Sequence, residues 1–190
     1  APFYVSINNG YFEDEGLDIT LITTPGSDKT MSALLSKEAQ IGLMGPETNL
    51  YVYNNGQENY AISFAQLTQK DGSFLVSREY YEYGNFDFDN LIGASIIGGR
   101  KGGMPEMILE YVLKQKGYEV SNSDENAQIY IRTDVNFEVM AGAFASGNDD
   151  FVTLFEPTAT MIEKQGYGYV VASVGELGGV VPYTSFSART

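Results

Sequence analysis

Neither cysteine nor histidine occurs in this chain of 190 residues. Without cysteine there are no disulfides and no thiolate nucleophiles; without histidine there are no histidine-assisted triads. The two best ligands for zinc and iron sites are gone, and no metal or other cofactor is expected. Proton transfer near neutral pH would fall to a perturbed carboxylate, lysine or tyrosine. Basic residues are scarce as well. Eleven Lys and Arg stand against 25 Asp and Glu, so the net charge is 11 − 25 = −14. Such a surface repels phosphate backbones and anionic membranes, which argues against nucleic-acid binding. No apolar run approaches the roughly 18 residues of a membrane-spanning helix. No secretory leader opens the chain; "APFYVSINNGYF" reads as the interior of a domain, and an N-terminal part is expected outside these residues. The lack of cysteine suits an exported protein, although cytosolic proteins can lack it too.

Apolar residues make up 43%, with 14 Tyr and 11 Phe, which is ample core material for one large domain or two small lobes. Short β-rich runs predict strands at Asp18–Thr24, Ala39–Met44, Ala61–Leu67, Ser73–Arg78, Ala94–Ile97, Ala127–Arg132, Asp150–Phe155 and Tyr169–Val174. Helices are predicted between them at Phe3–Asn9, Lys29–Ser36, Glu47–Asn55, Glu106–Lys116, Phe137–Ser146 and Thr158–Gln165, most of them stopped by a following glycine. Alternation of this kind means an α/β fold with largely parallel strands. The polar, aromatic stretch "EYYEYGNFDFDN" (Glu79–Asn90) interrupts the alternation and reads as a crossover between lobes. Lobe one is expected over 1–80 and 183–190, lobe two over 90–181, with crossovers at 81–89 and 182–184. "YTSFSA" after Pro182 reads as a strand returning to lobe one, and Val120–Asn126 as a surface loop.

Five of the six prolines open a predicted helix, where the missing N–H costs nothing. Three of them follow a strand end: "IGLMGPE", "IIGGRKGGMPE" and "TLFEPTA". In open α/β sheets ligands bind outside the carboxyl ends of strands. The expectation is that Met44, Ile97 and Phe155 finish neighbouring parallel strands, so that Gly45–Glu47, Gly98–Glu106 and Glu156–Thr158 wall one crevice. The glycine-rich loop is not a P-loop, because Met104 stands where the lysine belongs and no Ser or Thr follows it. It is a run of backbone N–H groups before a helix, reinforced by Arg100 and Lys101, which suits an anion or a polarised heteroatom. Read plainly, it is a tight turn with two solvated cations.

Glu156 could accept from a ligand amino group, or simply complement a helix dipole; for Glu47 and Glu106 the dipole reading is stronger. Phe3 and Tyr4 could stack on a planar ligand, whereas Tyr51 and Tyr53 read as core. Gln66 ends a strand and could bond a ligand amide or ring nitrogen, or serve as a polar lobe edge. Tyr183 sits beside the return crossover.

"APFYVSINNGYFEDEGLDITLIT" resembles the opening of the substrate-binding proteins of ABC importers for alkanesulfonates, nitrate and thiamine pyrimidine precursors. "LLSKEAQIGLMGPE" is similar to the next element of that family, with Gln40 in place of its usual Asp. "NLIGASIIGGRKGGMPEMILEYVLKQKGY" resembles the segment that starts its second lobe, with Ala94 in place of Lys, and "FEPTAT" resembles its x-E-P element. The resemblance implies a two-lobed periplasmic-binding-protein fold of the two-crossover type, with the ligand between lobes that close by hinge motion. It places binding positions at Phe3, Tyr4, Gly45, Pro46, Gln66, Gly99, Arg100, Lys101, Gly102, Gly103, Met104 and Glu156. Relatives begin with an earlier strand and continue for roughly a further third. Lobe one is therefore expected to be incomplete here, and lobe two to be the better packed.

The resemblance implies an extracytoplasmic, non-catalytic solute receptor. Its partners would be a small molecule and the permease subunits of an ABC importer. It would touch a membrane only through a lipid anchor outside this chain. An amino-pyrimidine-like heterocycle is favoured slightly over a sulfonate-like anion, because a carboxylate in the cleft would oppose an anion. Two other readings share the scaffold: an enzyme of thiamine-pyrimidine synthesis, which in some relatives consumes a histidine that this chain lacks, and the effector domain of a transcription regulator.

Overall fold

A computed structural model describes residues 2–190. In chain order the elements are α1 (Pro2–Asn8), α2 (Tyr11–Asp14), α3 (Ser27–Leu35), β1 (Ile41–Met44), α4 (Glu47–Asn54), β2 (Ala61–Thr68), β3 (Ser73–Ser77) and β4 (Ser95–Ile97). Then come α5 (Met104–Gln115), β5 (Val120–Ser121), β6 (Ile129–Arg132), α6 (Met140–Ser146), β7 (Phe151–Phe155), α7 (Thr158–Lys164), β8 (Tyr169–Ser173), α8 (Val174–Gly178) and β9 (Thr184–Arg189).

Two sheets result. The larger has the order β5-β6-β4-β7-β3-β8. Its β5, β6, β4 and β7 run parallel, while β3 lies antiparallel between β7 and β8. Continuous apolar runs such as "FVTLF" suit strands covered on both faces. Successive residues do point to opposite layers. Leu75, Ile96 and Ile131 join Leu109 and Leu113 of α5 in one cluster. Val76, Ile97 and Val152 join Met140 and Phe144 of α6 in the other. The smaller sheet has the order β1-β9-β2 with β9 antiparallel to both neighbours, and its buried cluster is only Met31, Leu34, Met44 and Ala61. No helix among the described residues is long and apolar enough to cross a membrane.

Several sequence expectations need correction. The fold is α/β, but the smaller sheet is wholly antiparallel, because β9 returns between β1 and β2. Asp18–Thr24 forms no strand: no other strand pairs with it among the described residues, and an alternating pattern alone satisfies no backbone. Val120–Asn126 is not all loop; Val120 and Ser121 add a short parallel edge strand beside β6. The strand at Ser73–Ser77, expected in lobe one, belongs to the larger sheet. The chain therefore changes sheets at 69–72, not at 81–89. The stretch 81–89 instead packs on the larger sheet, where buried Phe86 meets Tyr81, Phe88 and Phe151 edge-on. Two-residue strands and aromatic loops that pack back on a sheet leave no periodic signal.

At the return crossing the two passes run side by side. The Val181 N–H donates to Gln69 O (2.9 Å) and the Tyr183 N–H to Thr68 O (3.1 Å). The hydroxyls of Thr68 and Thr184 share a 2.6 Å hydrogen bond. Two adjacent passes thus connect the two sheets.

Candidate functional site

The turn after β1 meets the glycine-rich loop after β4 across the boundary between the sheets. On the β1 side the Gly45 N–H donates to Ser27 Oγ (3.0 Å), and the Thr48 hydroxyl donates to Gly45 O (2.8 Å). A Cβ on Gly45 would stand 2.0 Å from Glu47 Oε2, so only glycine lets that carboxylate fold over the turn. On the β4 side a Cβ on Gly98 would stand 2.1 Å from Ile131 Cγ2. Gly99 and Gly102 have φ of 95° and 67°, values that side chains with a Cβ rarely adopt.

The loop carries its own carboxylates. Glu106, 1% exposed, accepts from the Gly102 N–H (2.9 Å) and from Asn122 Nδ2 (2.8 Å). Arg100 reaches over the boundary to Asp28 (3.5 Å) and to Glu47 Oε1 (3.4 Å). The Tyr51 hydroxyl donates to Gly102 O (2.9 Å). Glu47 is only 4% exposed, and its Oε2 has no hydrogen-bond partner. Burial pushes the Glu47 carboxyl above the usual carboxylate range; its own backbone N–H, then the Arg100 charge and the Met104 N–H, pull the other way. Burial, then the nearby Glu47 charge, push the Tyr51 hydroxyl upward.

Beside the crossings lies a second buried polar group. The Ser73 N–H donates to Asp71 Oδ1 (2.5 Å). The Tyr183 hydroxyl faces the Asp71 carboxyl, yet Asp71 Oδ2 and Tyr183 Oη form no hydrogen bond of ordinary geometry. Burial raises the Asp71 carboxyl, and burial together with the Asp71 charge raises Tyr183 strongly. Under α4, Asn49 Nδ2 donates to Ser63 Oγ (2.8 Å) and Ser187 Oγ (3.0 Å), while its Oδ1 has no partner.

A cavity of about 490 Å³ opens along this boundary. Pro46, Glu47, Asn49 and Leu50 line it from one side and Met104 and Met107 from the other. Its walls are mostly aliphatic and aromatic with few polar atoms, the usual make-up of a small-molecule site.

The expected positions divide. Gly45, Pro46, Arg100, Gly102, Gly103 and Met104 come together at the boundary, with Gly99 in the same loop; Lys101 is exposed at the loop tip. Tyr183 is buried at the crossing. The third wall differs. β4 and β7 are parallel neighbours, and Phe155 reaches Tyr183 (6.5 Å between ring centroids), but β1 ends in the other sheet. Glu156 is exposed and turns onto its own helix, accepting from the Thr160 hydroxyl (2.8 Å) and N–H (3.2 Å). Phe3 packs on Phe12 and Phe186, Tyr4 is exposed, and Gln66 bonds its neighbour's carbonyl, Thr68 O (3.2 Å). Tyr51 and Tyr53 are exposed, not core, since α4 turns that face toward the boundary. Asp28, Asn49 and Asp71 were not anticipated. Asp71 sits in "QKDGSF", which reads as an ordinary turn until β3 is known to lie in the other sheet.

The NMT1/THI5 like family profile matches residues 1–185. YtlA, a candidate binding protein of Bacillus subtilis (strain 168), is 48% identical over 189 residues, which are 100% of this chain and 54% of YtlA. The chain thus spans about half the length of that relative. The alkanesulfonate-binding protein SsuA from Xanthomonas axonopodis pv. citri superposes with a TM-score of 0.72 at 18% identity, covering 98% of this chain and 61% of SsuA. A Candida albicans protein with the generic periplasmic binding protein fold superposes at 0.67 and 15% identity, covering 99% of this chain and 59% of its own. The fold is that of the periplasmic binding proteins.

Proposed function

The chain belongs to the NMT1/THI5 like family, and from that membership we propose that it is the ligand-holding part of an extracytoplasmic solute receptor. The receptor captures a small molecule between its two sheets and hands it to the permease of an ABC importer. It does no chemistry on the solute. One observation carries this reading: Gly45–Glu47 and Gly98–Met104, from different sheets, meet through Arg100, Glu47 and Tyr51 beside a pair of adjacent chain passes. Two bodies joined by two short passes can open and close about them, and the solute bridges the loops on closure.

The solute is an amino-pyrimidine-like heterocycle rather than a simple sulfonate. The loop's Gly102 N–H is taken by the chain's own Glu106, and its arginine is shared between Glu47 and Asp28. A purely anionic solute must compete with those carboxylates. Thermal-shift screening of the full-length protein against sulfonates, pyrimidines, thiamine and riboflavin tests this. A heterocycle should raise Tm; a rise with sulfonates alone contradicts the choice of solute, and no rise with any class contradicts the receptor reading.

A further inference from the structure

Two residues of this cavity's wall each carry a buried oxygen that has no hydrogen-bond partner of ordinary geometry. Glu47 Oε2 and Asn49 Oδ1 belong to residues 4% and 9% exposed, and neither oxygen has a hydrogen-bond partner. They sit two positions apart at the start of α4. Orphaned buried acceptors are costly, and an N–H donor from a solute would remove that cost. The rest of the wall offers Pro46, Leu50, Met104 and Met107, which suit a largely apolar body.

The partners already present explain why the demand stays open. Arg100 engages the other oxygen of Glu47 at 3.4 Å and divides its charge with Asp28. Asn49 spends its amide N–H groups on Ser63 and Ser187. Glu47 and Asp28 share Arg100, and Asp28 also lies 3.8 Å from Lys29 Nζ, so this corner is formally neutral (2 − 2 = 0) and what stays unmet is the demand for a hydrogen-bond donor. A solute bringing N–H donors fits those unpartnered oxygens, and one bringing only acceptor oxygens does not.

We infer that Glu47 and Asn49 are specificity-determining residues that read an amino or protonated nitrogen group on the solute, with Glu47 Oε2 as the principal acceptor. This rests on the receptor reading above. It adds which atoms select the solute and by what group.

The test uses matched pairs that differ by an amino group: 4-aminopyrimidine with pyrimidine, and taurine with ethanesulfonate. Each is titrated calorimetrically into the full-length protein and its Glu47→Gln variant. The aminated member of a pair should bind about tenfold or more tightly, as expected when a hydrogen bond to a buried charge is made or lost. Glu47→Gln should erase most of that preference, read as the ratio of affinities within each pair. The wild-type pairs test the idea even if the variant fails to fold. Equal affinity within a pair in the wild type, or a preference that survives Glu47→Gln, overturns this inference alone. A folded protein that binds none of the four overturns the receptor reading, and this inference with it.

Discussion

Arg100→Ala is the most informative single change. The substitution removes the only cation within salt-bridge distance of Glu47 among the described residues. Glu47 then keeps a nearly complete burial with both oxygens unpaired by a charge. Removing one partner of a fully buried pair costs roughly 3–5 kcal/mol. Here the cost is smaller for two reasons. The Arg100 side chain is 37% exposed and its contacts are 3.4 and 3.5 Å long, so the pair is partly screened. Glu47 can also escape by taking up a proton, since burial already raises its carboxyl and loss of Arg100 removes a lowering influence. A loss of about 1–2 kcal/mol at pH 7.5 follows, or about 2–8 °C in Tm for a chain of this size. The sign with pH is fixed. The folded variant holds the Glu47 proton more tightly than the unfolded chain, so its stability falls as pH rises above the ordinary carboxylate range. The deficit should shrink at pH 5. Chemical denaturation at both pH values, repeated in a Glu47→Gln background, measures it. In that background Arg100→Ala should cost much less, because no buried charge is stranded. An equal cost in both backgrounds, or a deficit that grows on acidification, would refute the reasoning.

Other changes probe the same framework. Gly98→Ala puts a Cβ against Ile131 in a buried position, should cost about 1–3 kcal/mol by denaturant unfolding, and should weaken solute binding by displacing the loop. Asp71→Asn keeps the acceptor for the Ser73 N–H while removing a buried carboxyl that burial raises. The variant should therefore be more stable than wild type at pH 7.5, with the gap closing toward pH 4. Leu109→Ala, in the packed layer of the larger sheet, should cost about 2–5 kcal/mol, read as a shift in the denaturation midpoint.

Much of this architecture was legible in the residues. The runs "IGLM", "SFLVS" and "FVTLF" became strands at or near their predicted ends, because apolar length and turn residues mark them locally. The proline-marked turns after β1 and β4 did come together. What stayed hidden was set by pairing between distant segments. Nothing near Ser73 says that β3 inserts antiparallel between β7 and β8, and that pairing moved the crossover and concealed Asp71. Glu156 stayed open between two readings because the x-Glu-Pro pattern suits a helix's first turn as well as a ligand, and here its carboxylate accepts from Thr160, one turn on. Arg100 looked like a free cation because Asp28 and Glu47, which pair with it, are remote from it in sequence.

Hydrogen exchange of the full-length protein, with and without a solute that raises its Tm, most directly tests whether the crevice between the sheets is the binding site. The expected result is slowed exchange at 98–104 and 45–51 together, with 68–73 and 179–183 altered as the halves close. Protection confined to the opposite end of the larger sheet, around Arg78, Gly93 and Asp150, would contradict it.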